Sequence, residues 1–212
     1  HEVIRLSGIN IVINDIDVPL IIKVASIPKE RIQVYFIDND DYFHRTGTLF
    51  DEEGNMYPDN DERCIFFAKG IVETVKKLNW SPDVIHIQGW LGALLPLYLR
   101  TYYKDEPIFY HTKTITCFLR PPFEGSLDSE LLSKVGFDEI TENEAPELKE
   151  PHSMNLIKIA ARYSDAITTI KGVLPQEAIS YIEGTTKPFL YGETIETTCK
   201  AYPQFYKELM SK

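Results

Sequence analysis

From residue 62 onward, helix-period and strand-period segments alternate, and that alternation limits the fold more than any other feature of the chain. Apolar residues at Ile65, Phe66, Ala68, Val72, Val75 and Leu78 repeat near 3.6, which predicts a helix over 62–78. Pro82 ends that pattern, and the short apolar run 84–87 fits a strand buried in a parallel sheet. Residues 91–103 return to helix, with Pro96 as a kink or as the true start. Residues 112–119 are strongly β-prone. A short helix is expected at 127–135, then helix at 154–163, strand at 166–170, helix at 174–182, strand at 187–190 and a terminal helix at 202–210. This order implies an α/β fold: a parallel sheet with helices on both faces.

The first third reads differently. Residues 9–13 and 20–25 are rich in β-branched types and flank a turn-like stretch, and 31–37 forms a third strand. An antiparallel excursion near the start accounts for them. Residues 45–58 read as an exposed loop, and Asp59 or Asn60 as the N-cap of the helix that follows. Pro121 to Gly125 reads as a turn, and the acidic stretch 139–150 as a mobile surface loop. With 212 residues, no internal repeat and no low-complexity tract, one domain over 1–212 is expected.

Charge narrows the partners. The formal net charge is −10, with acidic clusters at 38–41, 51–53, 59–62 and 142–150. Such a surface repels phosphate backbones and anionic lipids, so no nucleic acid and no membrane partner is expected. No apolar run approaches the roughly 20 residues that span a bilayer. No charged-then-apolar start suggests a signal peptide. His1 opens in mid-pattern, so the natural start is expected upstream. Cys64, Cys117 and Cys199 are far apart without metal-ligand spacing; they read as reduced, buried thiols of a cytoplasmic protein.

In open parallel sheets, ligands bind beyond the carboxyl ends of the strands. Three such ends carry polar groups. The first is Asp38, Asn39, Asp40 and Asp41, followed by Tyr42, Phe43, His44 and Arg45; a solvated turn is the simpler reading, and no metal site is expected. The second is His86, Ile87, Gln88, Gly89 and Trp90. His86 reads either as a ligand contact at the sheet edge or as a core histidine with a backbone partner. Gly89 suits a tight strand-to-helix turn that brings a ligand close to backbone N–H groups. The third end carries Arg120 after the strand at 112–119. No glycine-rich dinucleotide or phosphate fingerprint occurs, so no cofactor is expected.

Four stretches together carry a family resemblance. Val34 to Asp38, then Tyr42, Phe43 and the Arg45–Thr46–Gly47 run, resemble a strand and loop of the glycogen and starch synthase family. Asp59, Asn60, Asp61, Glu62 and Arg63 with Phe66, Phe67 and Ala68 resemble the helix start that follows there. Trp80 to His86, then Trp90, Ala93, Leu94, Pro96, Tyr98 and Leu99, resemble its strand-to-helix segment. Asn155 to Lys158, then Tyr163 to Thr169, resemble its last helix and strand before the domain crossover. Order and approximate spacing agree over about Gln33 to Ser180.

The resemblance implies the N-terminal half of a two-domain Rossmann-like glycosyltransferase of the GT-B type, with its first strand and its C-terminal nucleotide-binding domain outside this sequence. It further implies transfer of glucose from ADP-glucose to an α-1,4-glucan with retention of configuration. Asp59, Asn60, His86, Gln88, Gly89, Trp90 and Arg120 are the implied substrate contacts, on an α-glucan or a nucleotide sugar; no catalytic residue is assigned. The sequence also departs from the family. The lysine and glycine-rich loop after the first strand is not in it. The usual His-x-His-Asp-Trp reads His86–Ile87–Gln88–Gly89–Trp90, and Thr-x-His-Asn is replaced by Thr116, Cys117, Phe118, Leu119 and Arg120, with a short run on to Pro121 and Pro122. Little transferase activity is therefore expected from this chain alone. Three functions remain in view: a glucosyltransferase completed by a second domain or partner chain, a non-catalytic glucan-binding, regulatory or scaffold relative, and a sugar-nucleotide enzyme of another kind on a similar sheet. A homodimer is the expected assembly, because a half-enzyme exposes the surface its missing domain would face.

Overall fold

The organising element is the helix α2 (Asn60–Leu78), because it is packed on nearly every side. Cys64, Ile65, Phe66, Ala68 and Val72 are fully buried, and so are the polar Asn60, Asp61, Arg63 and Lys69. A single apolar stripe cannot explain that burial; the helix lies between two sheets. The computed structural model describes residues 3–211; His1, where the upstream start was inferred, Glu2 and Lys212 lie outside the described residues, at the ends of the expected domain.

On one side of α2 is a three-stranded antiparallel sheet of β1 (Ile4–Ile13), β2 (Ile16–Ile27) and β3 (Ile32–Asp38), in that order. Asn14 and Asp15 both take positive φ, the conformation that joins two twisted strands through a two-residue turn. Ile9, Ile11 and Ile13 pair with Leu20, Val18 and Ile16 and turn inward. Their neighbour Gly70 permits close approach, since a Cβ there would sit 2.6 Å from Ile37 Cγ2. After β3, the four-residue helix α1 (Asp40–Phe43) is capped by Asn39, whose Oδ1 accepts from Tyr42 N at 2.9 Å.

On the other side is a parallel sheet of β4 (Val84–Gln88), β5 (Lys113–Phe118), β6 (Ala166–Ile170) and β7 (Phe189–Gly192), in that order. One of its faces is covered by helices that include α3 (Leu95–Arg100), α5 (Ser153–Tyr163) and α6 (Gln176–Gly184). The opposite face is covered by α7 (Ile195–Met210), whose Phe205, Tyr206 and Leu209 pack on Val84, Ile115 and Ala166. The α/β class and the helices on both faces are as the alternation implies.

Several details differ from expectation. The helix expected over 91–103 is a 3-10 turn at Trp90–Gly92 followed by α3, with Pro96 in its first turn, where the missing N–H costs nothing. The short helix α4 (Leu131–Gly136) begins four residues later than expected. Residues 139–150 are not a mobile loop: Ile140, Ala145 and Leu148 are buried, and Tyr163 donates to Glu144 O at 2.7 Å. Polar composition hid three inward side chains. The terminal helix starts at Ile195, not near Tyr202, because a capping box at Thr194 and Thr197 starts it early and Pro203 sits inside it. Cys199 lies on the outer face of that helix and is exposed, so only Cys64 and Cys117 are the buried thiols expected of all three.

Candidate functional site

A cleft of about 600 Å³ opens beyond the carboxyl ends of β4 and β5. Its floor is Gln88, Gly89 and Trp90 from the end of β4, and Phe118, Leu119 and Arg120 from the end of β5. Pro121, Pro122 and Phe123 form one wall, Thr48, Leu49 and Phe50 another. Ser153, Leu156 and Ile157 bring in the first turns of α5. The parallel register sets Gln88 opposite Cys117, so the two strand ends arrive at the same level.

Gly89 takes φ 85° and ψ 168°, a region that essentially only glycine occupies. It is the N-terminal neighbour of the Trp90–Gly92 turn and lets the chain reverse at the strand end. Trp90 is half-buried and meets Phe123 edge-to-face at 6.2 Å. Arg120 is exposed at the rim. Among the described residues, the lining therefore offers aromatic faces, uncharged polar groups and one guanidinium, with no carboxylate and no imidazole.

The wall at 48–50 is held from below by residues whose side chains do not line the cleft. Asn60 is buried and donates to Leu49 O at 2.9 Å. Asp59 makes no capping bond to α2; its carboxylate takes both arms of Arg45 at 2.9 Å. Arg63 donates to Thr48 O at 2.5 Å and to Asn60 Oδ1 at 2.6 Å. Its guanidinium lies over the rings of Phe43, Tyr57 and Trp90. Burial, with the nearby Arg45 charge, draws the Arg63 guanidinium below its usual range.

His86 points the other way. Alternation along β4 sends Ile85 and Ile87 toward α2 and α3, and His86 toward α7. Its Nδ1 is 2.6 Å from the Tyr206 hydroxyl, and Tyr202 stands edge-to-face at 4.8 Å. Burial holds its pKa below the ordinary histidine value. The partner of this histidine is a side-chain hydroxyl, where the sequence suggested a backbone group. Of the residues singled out from sequence, the structure gathers Gln88, Gly89, Trp90 and Arg120 at one cleft. It puts Asp59 and Asn60 beneath the cleft wall and His86 under α7. The acidic run 38–41 is absorbed locally, with Asp38 paired to Lys23 and Asn39 donating to Pro19 O at 2.8 Å. Sequence reasoning missed Thr48, Phe50, Phe123 and Ser153, which come from loops and a helix start; the only signal for them was the aromatic Phe123 beside a Pro–Pro turn.

Comparison with known proteins adds the lineage. Residues 1–186 match the family model described as the starch synthase catalytic domain. The chain belongs to that family. It is 32% identical over 180 residues to the glycogen synthase of Chlorobium limicola, a match that covers 84% of this chain and 36% of that protein. It is also 32% identical over 170 residues to the glycogen synthase of Chlorobium luteolum, over 80% of this chain and 34% of the relative. The chain thus spans about a third of the length of the starch-synthase-family relatives it matches. Among solved structures it resembles the catalytic domain of starch synthase IV from Arabidopsis thaliana bound to ADP and acarbose. The TM-score is 0.63 at 16% identity, covering 91% of this chain and 41% of that one. That likeness shows the fold, an α/β unit of the GT-B type. Among the described residues, no helix is long and apolar enough to cross a membrane.

Proposed function

We propose that this chain supplies the glucan-holding wall of a starch-synthase-type cleft, and that glucose transfer from ADP-glucose to an α-1,4-glucan needs a second domain or partner chain. The lining of the carboxyl-end cleft carries this reading. A pyranose offers a C–H face that stacks on Trp90, Phe50 or Phe123, while its hydroxyls meet uncharged groups such as Gln88, Thr48 and Ser153. A departing diphosphate asks for several aimed donors in a water-excluded site. This wall offers one exposed guanidinium, Arg120, beside solvent, where charge interactions are weak. Asp59 and Asn60 act as positioning residues for the 48–50 wall, and His86 has no direct part in substrate contact.

The test is calorimetric titration with maltoheptaose beside a glucose-incorporation assay from ADP-glucose. Millimolar or tighter binding is expected, weakened about tenfold in Trp90→Ala through loss of one stacking contact. No heat at millimolar maltoheptaose removes the glucan-binding reading. Robust turnover by the chain alone removes the need for a second domain.

A second reading, a non-catalytic glucan-binding or scaffold relative, is favoured by Gly89. Where the family pattern has an acid, the backbone here has a conformation that an acidic residue adopts only with strain. We also place the protein in the cytoplasm and propose a homodimer. Ile27, Ile32 and Phe36 are exposed on the outer face of the antiparallel sheet, an apolar surface suited to isologous contact. A monomeric mass by light scattering at high concentration removes the dimer.

A further inference from the structure

A second cleft, of about 490 Å³, lies at the amino end of the parallel sheet. Asp83 precedes β4, Lys113 opens β5 and Asp165 precedes β6; Arg100 ends α3, and Tyr110 and His111 lead into β5. The cleft is therefore separated from the carboxyl-end one by the length of β5, about 17 Å at roughly 3.3 Å per residue.

The side chains here are unequally committed. Asp165 Oδ2 takes Arg100 Nη2 at 2.7 Å, Thr114 N at 2.7 Å and Thr114 Oγ1 at 3.0 Å, so that oxygen is saturated. Arg100 spends one N–H on this pair and makes no other hydrogen bond among the described residues. The Lys113 ammonium and the His111 ring enter no ion pair or side-chain hydrogen bond among the described residues. Lys187 lies close behind: burial holds its ammonium below the usual lysine range, Asp165 pulls the other way, and Arg100 and Arg162 add to the lowering. Lys187 spends its donors on Ala161 O, Arg162 O and Ser164 O, so in a chain of net charge −10 the unused donors at this cleft are those of Arg100, Lys113 and His111. Beside them stand the exposed ring of Tyr110, 62% accessible, and the Asp83 carboxylate.

We propose that the amino-end cleft binds a small phosphorylated sugar. The phosphate takes the free N–H groups of Arg100, the Lys113 ammonium and the His111 ring, an arrangement suited to a dianion. The sugar lies against Tyr110, and its hydroxyls donate to Asp83. The cleft volume falls in the usual range for small-molecule sites. This inference is independent of glucan binding at the other end of the sheet, because the two clefts share no lining residue.

The experiment is calorimetry of the full chain with glucose 1-phosphate and with inorganic phosphate. Saturable binding of glucose 1-phosphate is expected, tighter than that of inorganic phosphate, and competed by it. Lys113→Ala, whose side chain is outside the core, weakens it about tenfold, the loss expected for one charge-assisted contact. Arg100→Gln weakens it further, and its thermal melt reports separately on the Asp165 tie. Arg120→Ala, at the opposite cleft, leaves it unchanged. Absence of saturation at tens of millimolar overturns the proposal. So does binding that survives both Lys113→Ala and Arg100→Gln, or that is lost in Arg120→Ala, which would move the ligand to the other end. Equal affinity for inorganic phosphate overturns the sugar part.

Discussion

At the scale of single residues, the protonation of His86 bears on the fold. Its ring sits between the sheet and two tyrosines, and burial depresses its pKa. The unfolded chain, with an ordinary histidine pKa near 6.5, then binds more protons than the native one as pH falls. Stability from this group is full above about pH 6.5 and is lost as pH drops toward the depressed native value. Thermal melts between pH 7.5 and 5 are expected to show a steeper loss for the wild type than for His86→Phe. Parallel curves for the two proteins would mean the imidazole is solvated in the native state. Gly89 sets the second residue-scale expectation. Restoring the family acid with Gly89→Asp forces a non-glycine residue to φ 85°. It is expected to cost about 1–3 kcal/mol in urea denaturation and not to raise glucose transfer. An unchanged midpoint would show that the turn relaxes freely.

At the scale of elements, the cleft wall at 48–50 depends on α2. Arg63 bridges Thr48 O and Asn60 Oδ1 from a buried position, so Arg63→Gln leaves buried acceptors without their charged donor. A loss of about 1–3 kcal/mol is expected, together with faster amide exchange in residues 44–59 and little change in β5 and β6. Uniform exchange throughout the chain would deny a local role. The sequence made the parallel sheet legible because each strand there is a short apolar run between helix-period segments. It made the strand ends 86–90 and 118–120 legible because polar residues interrupt such runs. It did not reveal the 48–50 wall or the α5 contribution, since those depend on long-range bonds from Asn60 and Arg63 that have no periodic signal. It also could not tell which way His86 points, because a one-residue change of phase reverses the face. The 139–150 stretch hides its order for a related reason: three buried apolar residues among many acids, Ile140, Ala145 and Leu148, carry its packing.

At the scale of the whole molecule, one buried ion pair joins the antiparallel sheet to the helical layer. Lys69, on α2, donates to Val12 O of β1 at 2.7 Å and to Asp138 at 2.5 Å. Asp138, just past α4, also accepts from the Tyr98 hydroxyl of α3 at 2.8 Å. β1, α2, α3 and the end of α4 thus meet at a single pair whose side chains are 4% and 8% accessible. Such a pair need not stabilise the protein relative to a well-packed apolar substitute, but removing one partner strands the other charge away from water. Lys69→Met is therefore expected to cost about 3–5 kcal/mol, and Asp138→Leu a similar amount. The double variant should recover a large part of the loss, because no unpaired charge remains. Urea denaturation of the four proteins in a double-mutant cycle measures the coupling directly. Additive losses would show that the ammonium and the carboxylate do not depend on each other. A single-variant cost below about 1 kcal/mol would place the pair in solvent-like surroundings and leave the union of the antiparallel sheet with the helical layer to apolar packing.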